Sequence, residues 1–258
     1  MAIFSHQRHH WAYVWIPIVG AFIWFATLWA MLITWLASGR PHYVSEDSGQ
    51  HIAFISDVSA DIFKPLFIIA CCITGLSFIL ALVIERYLRH SGRLMPNMRT
   101  REHVLSTLAI IGSIIGGAGL ILLSIFDTKR HPSLHDKFLL VFIVGVALSA
   151  IFLIMEFRWI SKDFQYVQRL KRSYRMKAVI AVILIALAIA FGVTKLTAVN
   201  VAGVLEWTIT FGFTFYLLMF YYDLRQSKGV HKGELNAYRM NQSPCTAWVR
   251  QHETSGHN

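Results

Sequence analysis

LLSIFDTKRHPSLHDKFLLVFIVG, running from Leu122 to Gly145, sets a short polar turn between two long apolar segments. The turn holds Asp127, Thr128, Lys129, Arg130, His131, Pro132, Ser133, His135 and Asp136. A charged residue at the centre of a bilayer costs roughly 2.5–3.5 kcal/mol on insertion scales, so this turn belongs at a membrane surface. The flanking segments each approach the ~20 residues that cross a bilayer. The stretch reads as a transmembrane hairpin.

Composition points the same way. Of 258 residues, 55% are hydrophobic and only 15% are charged, which excludes an ordinary soluble domain and predicts a polytopic membrane protein. The formal net charge of +10 lies in the gaps between apolar segments, a distribution that suits anionic lipid and argues against nucleic acid. Cys71 and Cys72 stand side by side in an apolar segment and Cys245 lies near the C-terminus, so no disulfide framework is expected.

Working outward from the hairpin, apolar windows fall at about 11–37, 65–84, 103–125, 138–157, 178–196 and 203–222. They predict an all-α fold, a six-transmembrane-helix bundle forming one domain over residues 1–230. The first window exceeds the ~7–15 residues of a signal-peptide core and reads as a retained span. Residues 231–258 are polar and aperiodic, the pattern of a disordered cytosolic tail. Six spans put both termini on one side, and that side carries 18 of the 24 Lys and Arg residues. The positive-inside rule therefore makes the termini cytosolic and sends loops 38–64, 126–137 and 197–202 to the outer face. Within the bundle, Gly112 and Gly116 form a Gly-x-x-x-Gly face that predicts close helix packing. Window 178–196 is nearly featureless and reads as lipid-facing.

Glu206 lies about one turn inside the sixth span, and an intramembrane carboxylate marks a buried partner or a site. Thr210 and Thr214 continue its helical face inward. Asp57 and His135 share its side of the membrane. Asp57, His135, Glu206 and Thr210 are thus expected to meet at the outer leaflet, where they either hold a lipid headgroup, do acid–base work or close the bundle as a hydrogen-bond cluster. His131 and His135 have the i, i+4 spacing of metal ligands, but Pro132 lies between them and no cysteine accompanies them, so no metal is expected. Gly-rich phosphate loops, nucleophile elbows and zinc-peptidase motifs are absent from the sequence, and no cofactor or catalytic residue is assigned. On the cytosolic side, residues 158–177 predict an interfacial helix continuing from the fourth span. Its Lys162, Arg169, Lys171, Arg172 and Arg175 face anionic headgroups.

Three pieces of sequence resemble the Frag/DRAM/Sfk family, also called the Cwh-like N-terminal domain. They are Ile55-Ser56-Asp57, Phe126-Asp127 through His135, and Glu206-Trp207 through Asp223-Leu224-Arg225. Animal members often follow the Ser-Asp motif with Pro-Glu, where this chain has Phe63-Lys64-Pro65. The likeness is strongest to the fungal Sfk-type branch. It implies a plasma-membrane protein that assists a phosphatidylinositol 4-kinase complex and influences lipid asymmetry and sterol retention, with phosphoinositides and other anionic phospholipids as partners. Other branches imply GPI-anchor lipid remodelling in the ER and Golgi, or autophagy modulation at the lysosome.

Overall fold

The computed structural model of the chain describes residues 12–46, 49–91, 94, 100–163 and 168–225, with the side chains of 160–173 outside that description. The described residues are helical with no strand. A 3-10 turn, Ala12–Trp15, leads into α1 (Ile16–Ala37), and the outer loop carries a short α2 (Ile55–Ser59). The remaining helices are α3 (Lys64–His90), α4 (Thr100–Ile125), α5 (Pro132–Asp163), α6 (Gln168–Thr197) and α7 (Val199–Arg225). All but α2 are long and apolar enough to cross a membrane, so the six-span all-α reading stands. This is an integral membrane protein. Below, the outer and cytosolic ends are those assigned by the charge asymmetry.

Helix contacts run around a ring in the order α5, α4, α3, α1, α7 and α6. The ring closes between α6 and α5, where contact is sparse. Its centre is aromatic: Phe78 of α3 meets Phe213, Tyr216 and Phe220 of α7 at centroid distances of 5.8–6.3 Å. Glycine decides where the ring is tightest. A Cβ on Gly119 would lie 2.6 Å from the Phe142 nitrogen, and one on Gly112 would lie 2.8 Å from the Ser149 nitrogen. Gly145 presses just as closely on the Gly116 backbone. The hairpin of α4 and α5 therefore packs backbone to backbone, as the Gly112 and Gly116 spacing predicts.

The helices run past the apolar windows. Pro132 occupies the first turn of α5, where its missing N–H costs nothing, so His135 and Asp136 are helical and the turn shrinks to residues 126–131. At the cytosolic end α3 extends to His90 rather than Ile84, because Glu85 and Arg89 are paired inside the bundle. The outer loop expected at 197–202 collapses to Ala198 alone. Its N–H donates to the Thr194 carbonyl at 2.7 Å and its carbonyl receives the Val201 N–H at 2.9 Å. Of the basic stretch 158–177, the first residues finish α5 and the last begin α6, while 164–167 lie outside the described residues. The tail at 231–258 also lies outside them. Helix α6 buries the least of the six, in keeping with a lipid-facing span.

A methyl group separates the tight and open parts of this ring. Gly145→Ala should destabilise the detergent-solubilised protein by about 1–3 kcal/mol, because the α4 backbone cannot yield. At Gly192 a Cβ meets nothing within 4 Å, so Gly192→Ala should be neutral or stabilise by roughly 0.5–1 kcal/mol through helix propensity. Thermal unfolding of the two variants checks the contrast.

Candidate functional site

At the outer end, Asn200, Gly203, Glu206 and Trp207 recur at three- and four-residue steps along α7 and so share one face. An irregular stretch of the outer loop lies against it. Asn200 Oδ1 accepts the His51 and Ile52 N–H groups at 2.6 and 3.2 Å, and its Nδ2 donates to the Gly49 carbonyl at 3.1 Å. Gly203 leaves room for the Ile52 carbonyl, which would stand 2.9 Å from a Cβ. Trp207 Nε1 donates to the Ala53 carbonyl at 3.0 Å.

Both predicted carboxylates serve the start of α2, where a helix presents N–H groups without internal partners. Glu206 Oε2 accepts the Ile55 N–H at 2.8 Å. Asp57 Oδ2 accepts the Phe54 N–H and the Gln50 side-chain amide, each at 3.0 Å, while its Oδ1 accepts the Ser45 hydroxyl at 2.6 Å. Asp57 is 1% exposed and Glu206 is 9% exposed, so neither acid is a surface charge.

His135, Glu206 and Thr210 are brought together on one cavity with Ser56 and Trp24. Asp57 is not on its wall; it lies behind Ser56 and faces Ser45 and Gln50. The cavity is about 40 Å³, space for a few water molecules and well below the ~300 Å³ at which small-molecule sites begin. The His135 ring is fixed by Nδ1, which lies 2.9 Å from the carbonyls of Leu123 and Phe126. Carbonyls only accept, so Nδ1 carries a hydrogen and Nε2 remains as the acceptor of the neutral ring. Thr210 turns its hydroxyl back to the Glu206 carbonyl at 2.8 Å, and its own carbonyl receives the Trp24 indole N–H at 3.1 Å. A carboxylate, an imidazole acceptor and room for water can pass a proton. They have no space here for a lipid headgroup.

Ion pairs ring this end of the bundle. Lys64 at the start of α3 binds Asp127, and Lys195 near the end of α6 binds Asp136 on α5. Asp127 also accepts the Arg130 N–H at 2.7 Å. Burial alone would raise the Asp127 carboxyl, but the Lys64 hydrogen bond, the Arg130 N–H and the two nearby cations outweigh it and hold it below the ordinary carboxylate range.

A second polar cluster lies at the cytosolic end. Arg89 donates to Glu85 at 2.8 Å and to the Tyr174 hydroxyl at 3.2 Å, and sits 4.3 Å from the centre of the Phe157 ring. Lys177 donates to Asp223 at 2.6 Å and lies 3.5 Å from the Phe220 ring centre. Glu156 is buried nearby. The positive-inside count treats Arg89 and Lys177 as surface cations, whereas they are internal and paired. The sequence does carry a signal for them: Glu85 and Arg89 stand at i, i+4 on one helix, and Glu156 falls inside a span. Of the residues expected to face anionic lipid, Arg175 is exposed near the start of α6. The side chains of Lys162, Arg169, Lys171 and Arg172 lie outside the described residues. Those described form no cluster of three or more metal-ligating side chains.

Residues 12–227 match the family described as the Frag1/DRAM/Sfk1/Cwh43P N-terminal domain, and the chain belongs to that family. The chain is similar to protein sfk1 of Schizosaccharomyces pombe, 31% identical over 224 residues that cover 85% of this chain and 66% of that protein. It is also similar to protein SFK1 of Saccharomyces cerevisiae, 28% identical over 189 residues that cover 62% of this chain and 53% of that protein. The matches thus span less than two thirds of the length of either relative. No solved structure matches the chain.

The Lys64–Asp127 pair gives the outer face a defined response to acid. A carboxyl lowered by folding contributes stability above its unfolded pKa of about 4 and loses it as pH falls through the folded value. The melting temperature of the purified protein should drop between about pH 5 and pH 3. Asp127→Asn should be less stable at neutral pH and should flatten that acid limb. An unchanged limb would assign the acid response to other groups.

Proposed function

We propose that this member of the Frag1/DRAM/Sfk1/Cwh43P N-terminal domain family is a non-enzymatic plasma-membrane protein that organises lipids and tethers a phosphatidylinositol 4-kinase complex. One observation carries this reading: the cations concentrate at the cytosolic end, and Arg158 and Arg175 are exposed there beside the sparsely packed side of the ring. A peripheral kinase can dock only from the cytosol. Phosphoinositides and other anionic lipids gather at a basic juxtamembrane surface, with roughly 1 kcal/mol from each cation. Asp57 and Glu206 fit this reading as loop clamps, since they accept the backbone N–H groups of Phe54 and Ile55 at the start of α2.

A second reading has one observation in its favour. His135 and Glu206 share a cavity with Ser56, and His135 keeps Nε2 as an acceptor, the arrangement of a general base. On that reading the chain is a GPI-anchor lipid remodelling factor of the ER or Golgi with His135 as the base.

Cells lacking the protein and complemented with variants separate the two. Charge reversal at Arg169, Lys171, Arg172 and Arg175 should lower membrane-associated kinase roughly tenfold or more, reduce phosphatidylinositol 4-phosphate and expose aminophospholipid, with GPI lipids normal. His135→Ala should leave those readouts near wild type. Normal phosphatidylinositol 4-phosphate after the charge reversal, with altered GPI lipids in His135→Ala, would replace tethering by remodelling.

A further inference from the structure

The seam between α5 and α6 is built differently from the rest of the ring. Helix α5 turns Gly145 and Ser149 toward α4, and α6 packs chiefly on α7. Between α5 and α6 stand small residues, Ala147 on one side and Ala181, Ala188 and Gly192 on the other. Two hollows follow one another down this seam. The first, 370 Å³, lies between residues 140–150 of α5 and 181–192 of α6, with α7 as its floor. The second, 320 Å³, lies between residues 153–158 of α5 and 174–178 of α6. At ~1.5 Å per residue, the combined run is about 27 Å, close to the ~30 Å depth of bilayer hydrocarbon. Each hollow is several times larger than the cavity shared by His135 and Glu206 and falls within the range of ligand sites.

Chemistry changes sharply along the seam. The first hollow is apolar throughout its α5 and α6 walls, whereas the second brings in Arg158, Arg175 and Lys177. Lys177 is buried and bonded to Asp223, while Arg158 and Arg175 are solvent-exposed. An apolar trough with two guanidinium groups at its cytosolic mouth is complementary to a molecule with a long hydrocarbon chain and a phosphate. Guanidinium binds phosphate through paired N–H donors, and the cytosolic leaflet is where anionic phospholipids are found.

We propose that the α5–α6 seam holds one anionic glycerophospholipid of the cytosolic leaflet, its phosphate between Arg158 and Arg175 and an acyl chain along the trough past Ala147. This rests on the proposed function, which places the cationic end in the cytosol, and it gives the lipid-organising role a defined ligand. Lipid held there is shielded from the bilayer on three sides by α5, α6 and α7.

Native mass spectrometry tests it on the full chain in detergent, incubated with equimolar dioleoylphosphatidylserine and dioleoylphosphatidylcholine. The wild-type chain should retain phosphatidylserine in preference to phosphatidylcholine by roughly tenfold or more. Arg158→Gln combined with Arg175→Gln should bring the ratio close to one, and Ala147→Phe, which fills the trough, should reduce retention of both lipids. The two arginines are exposed, so the glutamine pair remains informative even if the phenylalanine variant misfolds. Equal retention of the two lipids by the wild-type chain, or selectivity surviving in the glutamine pair, overturns the proposal. So does a lipid-free dimer whose formation Ala147→Phe blocks, which would make the seam a contact between copies. Because the readout uses purified protein, its failure leaves kinase tethering in cells standing, and loss of the cellular effect leaves the lipid site standing.

Discussion

Hydrocarbon offers no hydrogen bonds, so a charge or backbone group that this chain carries into the bundle is stabilised only by a partner within the protein. That constraint shapes both ends of the molecule. At the outer end the loop between α1 and α3 would expose the N–H groups at the start of α2. Glu206 from α7 and Asp57 from within α2 accept them, while Asn200 and Trp207 bind the residues just before. At the cytosolic end the extra turns of α3, α6 and α7 carry Glu85, Arg89, Lys177 and Asp223 inward, beside the buried Glu156 of α5. There Arg89 bonds Glu85 and Lys177 bonds Asp223. Removing one partner of such a buried pair strands the other charge, at a cost of about 3–5 kcal/mol.

Between the two ends, packing is uneven in a way that bears on function. Gly112, Gly116, Gly119 and Gly145 let α4 and α5 approach backbone to backbone, which fixes the hairpin. The same α5 has used its small-residue face on α4 and meets α6 through alanines and open space. A closely packed hairpin thus stands beside a loosely filled seam. The cavity shared by His135 and Glu206, at about 40 Å³, is too small for a lipid headgroup, whereas the outer loop encloses a separate hollow of about 330 Å³ beside Asp57 and Lys129.

Much of this was legible in the sequence, and the failures have physical causes. The six spans follow from apolar windows, and the Gly112 and Gly116 spacing foretells the α4–α5 contact. Glu206 and His135 do meet at one cavity, because a costly carboxylate one turn inside a span must face inward. Asp57 went astray: proximity to the outer end is visible in the sequence, but capping of its own short helix depends on a local turn that hydropathy cannot register. Asn200 gave no sign, since its value comes from loop backbone 148–151 residues away. Helix ends were misjudged at Ile84 and Tyr222 because charges that pair internally look, residue by residue, like charges that stop a span.

The outer loop is clamped onto α7 by Glu206, Asn200 and Trp207, at the end of the bundle opposite the cationic one. Single cysteines in a chain carrying Cys71→Ala, Cys72→Ala and Cys245→Ser test it directly, with a membrane-impermeant maleimide applied to intact cells. Val44 is 89% exposed and Ala53 is 1% exposed on the same loop. Val44→Cys should label at once, and Ala53→Cys should label only after denaturation. Equal labelling at both positions would show that the loop is not clamped, and labelling of Val44→Cys only after permeabilisation would show that the loop faces the cytosol.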